Sequence, residues 1–234
     1  MDKTVDAVVI GAGPGGSAAA RALAAAGWKT VILERRAVPR HKVCGEFLSP
    51  EAGATLRELG LADAVNGCSP VRIGRVRLCA AGGKPLDVPL PAGALGIGRH
   101  ELDRALLDGA RQAGADVREG TVALRIRREG GVYAVETRRS GMEETIRARV
   151  VIGAWGAGAR KALKDPRAAR PPASRLLGVK AHFEGIPIGP VTELYAFRGG
   201  YLGLSPVPGG RVNAAALLDP RAFGGGESSA LAWI

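Results

Sequence analysis

Val8-Val9-Ile10-Gly11-Ala12-Gly13-Pro14-Gly15-Gly16, an alanine-rich run, and then Thr30-Val31-Ile32-Leu33-Glu34 set the fold of this 234-residue chain. The β-branched run before Gly11 reads as a buried parallel strand, and the glycines after it permit a tight turn whose backbone can approach a ligand closely. Gly11-x-Gly13-x-x-Gly16 has the spacing of a dinucleotide fingerprint. In that pattern the first glycine makes the turn, the second leaves room for a diphosphate, and the third lets the helix sit on the strand.

Pro14 to Ala26 then read as a helix of small side chains, Gly15, Gly16 and Ser17 in its first turn, ended by Gly27. Its N-terminus aims free N–H groups and the positive end of the helix dipole over the glycines, which favours a phosphate there. Glu34 closes the second strand, 18 residues past Gly16. A carboxylate at that place accepts hydrogen bonds from both hydroxyls of an adenosine ribose and repels a 2′-phosphate. NAD and FAD both use this device, so the pattern alone leaves the ligand open between them.

The rest of the chain departs from a repeated βαβ pattern. Ser49-Pro50-Glu51 opens a helix that Gly60 ends. Val71 to Leu90 alternates apolar and polar residues about Gly82-Gly83, a β-hairpin that leads into a second sheet. His100 to Ala113 reads as a helix, and Ala115 to Arg118 as a short strand. Three alternating runs (121–127, 132–138 and 143–148), turned by Gly130-Gly131 and Ser140-Gly141, predict an antiparallel meander that ends in the apolar strand Val150 to Ala154. Pro166 to Pro172 reads as a linker. Strand-like runs at 176–183, 192–197, 201–206 and 211–217 predict a mostly antiparallel sheet that the hairpin joins. Phe223 to Ile234 supply no closing element, and the chain has no internal repeat.

Composition bounds the function. The net charge is +11, but the 33 Lys and Arg are dispersed, mostly as isolated Arg, without aromatic interleaving. This is a basic surface that steers anionic ligands rather than a nucleic-acid footprint. No run approaches the ~18 apolar residues of a membrane span, and the charged N-terminus leads straight into a strand, so no signal peptide is expected and the expected location is cytoplasmic. Cys44, Cys68 and Cys79 lack CxxC spacing, which argues against a metal site and against disulfides.

The order of these pieces resembles the FAD-dependent oxidoreductases of the aromatic-hydroxylase fold, and within them the geranylgeranyl-reductase-like branch. The resemblance covers nearly the whole chain. It rests on the Gly11/Gly13/Gly16/Glu34 fingerprint, Lys42-x-Cys44-Gly45, Gly98-Arg99-x-x-Leu102-Asp103, Val151-Ile152-Gly153-Ala154-x-Gly156-Ala157, Gly200-Tyr201-x-Gly203-x-x-Pro206, and Gly209-Gly210-Arg211-Val212-Asn213. It implies an α/β fold: a Rossmann-like FAD-binding domain with a parallel sheet and an antiparallel meander (1–70 and 99–168), and a partial antiparallel-sheet substrate domain (71–98 and 173–234).

The same resemblance implies FAD as cofactor and NAD(P)H as reductant, with a small hydrophobic or aromatic molecule as substrate, reduced at a double bond or hydroxylated. Peripheral contact with a membrane follows if that substrate is a prenyl lipid. It places Gly11, Gly13, Pro14, Gly15, Gly16, Ser17, Glu34, Arg35, Arg40, Lys42, Cys44, Gly45, Arg99, Val122, Ala154 and Gly156 along FAD, with the backbone of Val122 near the adenine. Two long-linked phosphates need cations beyond one helix terminus, which Arg40, Lys42 and Arg99 supply.

Two departures stand out. Trp155-Gly156 replaces the family's Asp-Gly, and a Trp cannot accept a hydrogen bond. The family's third FAD motif, a Gly-Asp turn opening a helix over the flavin, has no counterpart after Asn213, so the chain reads as the N-terminal portion of a longer enzyme.

Other residues carry plainer readings beside sharper ones. Cys44 is a small residue in a tight turn or a thiol beside the flavin. His41 and His100 are cap or surface residues before they are bases. Tyr201 and Trp155 are packing residues before they are ligand platforms. Three functions follow: an FAD-dependent oxidoreductase, a non-catalytic nucleotide-binding remnant, or an NAD-dependent dehydrogenase. The hairpin at 71–90 disfavours the last, because a dehydrogenase half would continue βαβ. The catalytic residues are not identified by any sequence pattern.

Overall fold

The computed structural model describes residues 4–156 and 176–223. The chain divides into two compact units, Met1–Arg40 with Leu102–Arg170 and His41–Glu101 with Pro171–Ile234. The linker expected at 166–172 and the last residues, 224–234, lie outside the described residues.

In the first unit, β1 (Val5–Ile10) is the middle of a parallel sheet. It pairs with β2 (Thr30–Glu34) on one side and with the end of β9 (Met142–Gly153) on the other, and β2 pairs in turn with β6 (Asp116–Glu119). All five residues of β2 and the last four of β1 are buried, as an unalternating apolar run requires. Helix α1 (Pro14–Ala25) turns Ala20 and Ala24 onto this sheet, where they meet Val9 and Ile32. Residues 102–112 of α4 (Arg99–Gln112) cover the same face with Leu107 and Ala110.

The other face carries the meander of β7 (Thr121–Glu129), β8 (Val132–Arg139) and β9, all antiparallel. Two strands read separately in the sequence, 143–148 and 150–154, are one: β9 pairs with β8 along its first part and with β1 along its second. Val8, Ile10, Val31 and Leu33 of the parallel strands pack on Ala123, Val135, Ile146 and Ala148 of the meander. Only Gly120, at φ +68°, separates β6 from β7, so the chain passes from one layer to the next in a single residue with left-handed backbone.

The second unit is a seven-stranded sheet in the order β10-β13-β12-β11-β4-β5-β3. Its strands are β3 (Phe47–Leu48), β4 (Val71–Ala80), β5 (Leu86–Gly96), β10 (Leu177–Glu184), β11 (Val191–Phe197), β12 (Gly200–Val207) and β13 (Arg211–Leu218). The hairpin β4-β5 joins the later strands through one parallel pair, β4 with β11, and every other pair is antiparallel.

The sequence boundary at 70/71 differs from the structural one at 40/41. Phe47 and Leu48 pair with Gly96 and Leu95 of β5, which ties residues 41–70 to the second sheet. The helices here are α2 (Pro50–Glu58) and α3 (Ala62–Asn66). Neither β3 nor α3 is foreseen from the sequence, because two or five residues are too short to show a period.

Candidate functional site

The first unit holds a pocket at the carboxyl ends of β1 and β2. It is lined by Ile10, Gly11, Leu33, Glu34, Arg35, Arg40, Thr121, Val122, Ala123 and Trp155. This is where open α/β sheets bind ligands, beyond the strand ends.

Its geometry follows from the glycines. Gly11 has φ +106°, and a Cβ there would stand 2.5 Å from the Ala154 carbonyl oxygen. A Cβ on Gly16 would stand 1.8 Å from the Gly11 carbonyl oxygen and 3.1 Å from the Ala154 Cβ. These two glycines therefore let the turn, α1 and the end of β9 close on one another. Gly13 and Gly15 are different: nothing lies within 4 Å of a Cβ built on either. The amino end of α1 thus faces open space, with Gly13 as its cap in extended backbone and Pro14 as its first residue.

Glu34 is only 6% exposed. Its carboxylate accepts the Ala12 N–H at 2.9 Å and the Arg36 N–H at 3.1 Å. Two backbone donors thus fix the carboxylate beside the glycine turn while lone pairs remain for a ligand. On the neighbouring strand β6, Glu119 accepts the Val38 N–H at 2.7 Å and pairs with Arg111, which anchors the segment that carries Arg40.

Among the described residues of this unit, two buried polar atoms have no hydrogen-bond partner, Ser17 Oγ in the first turn of α1 and Arg40 Nε. Buried polar groups are nearly always satisfied, so an orphaned hydroxyl and an orphaned guanidinium nitrogen near a helix N-terminus fit an anionic ligand. The residues present therefore suit a nucleotide diphosphate.

Of the residues singled out in the sequence, Gly11, Glu34, Arg35, Arg40 and Val122 line this one pocket, and Gly13, Pro14, Gly15, Gly16 and Ser17 form the adjoining turn and helix start. Ala154 meets that turn, and Gly156 follows at φ +69°. Lys42, Cys44, Gly45 and Arg99 belong to the second unit.

There the Arg99 backbone meets a carboxylate that the sequence does not single out. Glu46 is 2% exposed and holds φ +54°, rare for a residue with a side chain. It accepts the Arg99 backbone N–H at 2.7 Å, meets His182 Nε2 at 2.6 Å, and forms an ion pair with Lys180. Burial pushes the Glu46 carboxyl up, but the hydrogen bonds from Lys180, His182 and the Arg99 N–H outweigh it and hold the group below its ordinary value.

Lys180 and His182 lie two apart on β10 and so share a face. The three histidines of the chain gather here: His41 stacks on His100 with ring centres 5.3 Å apart and meets His182 edge-on at 6.3 Å. Asn213 donates to the Cys44 carbonyl at 3.0 Å, so the Cys-Gly-Glu loop is tied to β13 as well. A charged Glu following Cys-Gly was the available signal, but its side-chain partners lie more than 130 residues away in sequence. Among the described residues no group of His, Cys, Asp and Glu is arranged to hold a metal ion, and no helix is long and apolar enough to cross a membrane.

Comparison with known proteins agrees with this geometry. Residues 4–190 match the FAD binding domain family. The chain is 32% identical over 191 residues to the menaquinone reductase of Mycobacterium tuberculosis, covering 80% of this chain and 43% of that protein. It is 36% identical over 155 residues to the geranylgeranyl diphosphate reductase of Rhodobacter capsulatus, covering 65% of this chain and 37% of the other. The chain thus spans less than half the length of these two curated relatives. Among solved structures, a geranylgeranyl bacteriochlorophyll reductase-like protein of Thermoplasma acidophilum superposes with a TM-score of 0.74 at 26% identity, over 94% of this chain and 58% of that one.

Proposed function

The chain belongs to the FAD binding domain family of oxidoreductases, and we propose that it binds FAD through the first unit and serves a reductase that takes electrons from NAD(P)H and reduces a small hydrophobic molecule. Bound FAD would supply the hydride chemistry, and the residues of the first unit would bind and orient it. The observation that carries the reading is the Glu34 carboxylate, held by two backbone N–H groups beside a glycine turn whose Ser17 Oγ and neighbouring Arg40 Nε are buried without partners.

In this reading the N–H groups at the amino end of α1, with Ser17 and Arg40, receive the diphosphate. Glu34 accepts the adenosine ribose hydroxyls, and Arg35 lines the same pocket. Reduction is favoured over hydroxylation by the reductases among the relatives, which act on a quinone and on a prenyl diphosphate by their names. A substrate of that kind brings peripheral contact with a membrane surface.

A second reading is a nucleotide-binding module without turnover. It is favoured by Trp155, which stands in the pocket where the family carries a hydrogen-bonding Asp.

The absorbance spectrum of the purified chain with added FAD, followed by NADPH, separates these readings. Flavin that co-purifies or binds, and bleaches on NADPH addition, supports the oxidoreductase; bound flavin that stays oxidised selects the second. A protein that takes up no FAD at all refutes both. Glu34→Ala is expected to weaken FAD binding by roughly 10-fold or more, since each hydrogen bond to a charged group contributes ~1.5–3 kcal/mol. Isothermal titration of both proteins with FAD measures the difference.

A further inference from the structure

We propose that Trp155 is the base-stacking platform of the nucleotide pocket, so that the residue replacing the family's Asp contributes a π-face for adenine. The proposal rests on the reading of the first unit as the FAD site and assigns a residue within it.

The ring is placed by the backbone around it. A Cβ on Gly153 would stand 2.3 Å from the Trp155 Cη2 and 2.4 Å from its Cζ3, so the indole lies where any other residue at 153 would put its side chain. The Gly11 Cβ position likewise stands 3.1 Å from the Trp155 Cα. Gly153 on β9 thus leaves the space that the ring occupies, and Gly11 in the β1 turn the space for the backbone that carries it. One side of it packs on the core between the parallel strands and the meander, and Trp155 is half-buried as a result.

The rest of the pocket matches a purine. Trp155 is the sole aromatic side chain among the lining residues; Ile10, Leu33, Val122 and Ala123 add apolar walls, and Glu34 with the two arginines adds the polar side that suits a ribose and phosphates. Thr121, Val122 and Ala123 begin β7, an edge strand of its sheet. An edge strand offers alternate N–H and C=O groups outward, and a donor next to an acceptor is the pattern the Watson–Crick edge of adenine requires. A flat apolar face, a donor–acceptor edge and a ribose-binding carboxylate therefore meet in one cleft. Stacking of a base on an aromatic ring needs no hydrogen-bond acceptor, so losing the Asp oxygen does not empty the site of affinity.

The test uses AMP, which carries adenine without flavin, and FMN, which carries flavin without adenine. The chain has three tryptophans, Trp28, Trp155 and Trp233. In a W28F/W233F background the emission comes from Trp155 alone. AMP is expected to quench it saturably, and FMN at the same concentration is not. W155A is expected to weaken AMP and FAD binding roughly 5- to 150-fold by calorimetry, the worth of one stacked base. W155F keeps a ring and retains most of the affinity. W155L keeps bulk without a π-face and behaves as W155A, which separates stacking from folding. AMP and FAD that bind with unchanged Trp155 emission and unchanged affinity in W155L overturn the proposal and leave the FAD reading standing. Absence of calorimetric binding by AMP and FAD in the parent protein overturns the FAD reading, and the proposal falls with it.

Discussion

Gly16→Ala is expected to abolish FAD binding and to lower the melting temperature of the unliganded chain by on the order of 10 °C. The added methyl would sit 1.8 Å from the carbonyl oxygen of Gly11 and 3.1 Å from the Ala154 Cβ. The first neighbour is backbone, so no rotamer change relieves the clash. Helix α1 must lift off the strand, which loosens Ala20 and Ala24 from Val9 and Ile32. Overpacking of this kind costs about 3 kcal/mol, which sets the melting shift at ~2–4 °C per kcal/mol for a chain of this size.

Lifting α1 also turns its amino end away from the Glu34 carboxylate, so the two halves of the nucleotide site part. Gly15→Ala is the internal control. With nothing within 4 Å of the new Cβ, the unliganded stability should change by less than about 1 kcal/mol. Thermal unfolding of the three proteins without ligand decides the matter. Equal melting temperatures for Gly16→Ala and Gly15→Ala would show that helix and turn do not close as described.

Glu46→Ala is expected to destabilise the second unit by ~3–5 kcal/mol, the usual cost of leaving one member of a buried ion pair uncompensated. The Lys180 ammonium has a side chain only 7% exposed, and the His182 ring and the Arg99 N–H lose the same acceptor. Adding Lys180→Met should recover much of the loss, because replacing both partners removes the stranded charge. Urea denaturation of the parent, each single variant and the double variant gives the coupling; additive single effects would deny the ion pair.

The same pair makes stability depend on acid. The folded Glu46 carboxyl is held below its ordinary value of 4.5. Its contribution is therefore present in full above about that pH and is lost as pH falls through the lowered folded value. The parent protein should lose stability below pH ~4.5 more steeply than Glu46→Gln, which has no proton to gain.

Much of the first unit was legible because its signals are local. An apolar run, three glycines at fixed spacing, an alanine helix and a terminal Glu lie within residues 8–34, and the Gly-Gly turns mark the meander. The sheet that the 71–90 hairpin joins was legible too, since alternation survives wherever one face is buried. The break at 40/41 was not, because two residues of strand pairing, Phe47 with Gly96 and Leu48 with Leu95, leave no period in the sequence. The Glu46 cluster was hidden for a different reason. Lys180 and His182 reach it only through the folding of β10 beside β13 and of β13 under Cys44. The Trp155 ring was visible as a departure from the family, but its support by Gly153 depends on the backbone path at the end of β9.

The shared strand β9 has a consequence for biosynthesis. Val5 to Ile10 leave the ribosome well before one of their two flanking partners, Ala148 to Gly153, which is made more than 130 residues later. Until then one whole side of that strand offers open N–H and C=O groups, the kind of edge that recruits foreign chains. The His41–Glu101 segment of the second unit falls within this interval and lengthens it, so the strand edge stays open until Gly153 has emerged.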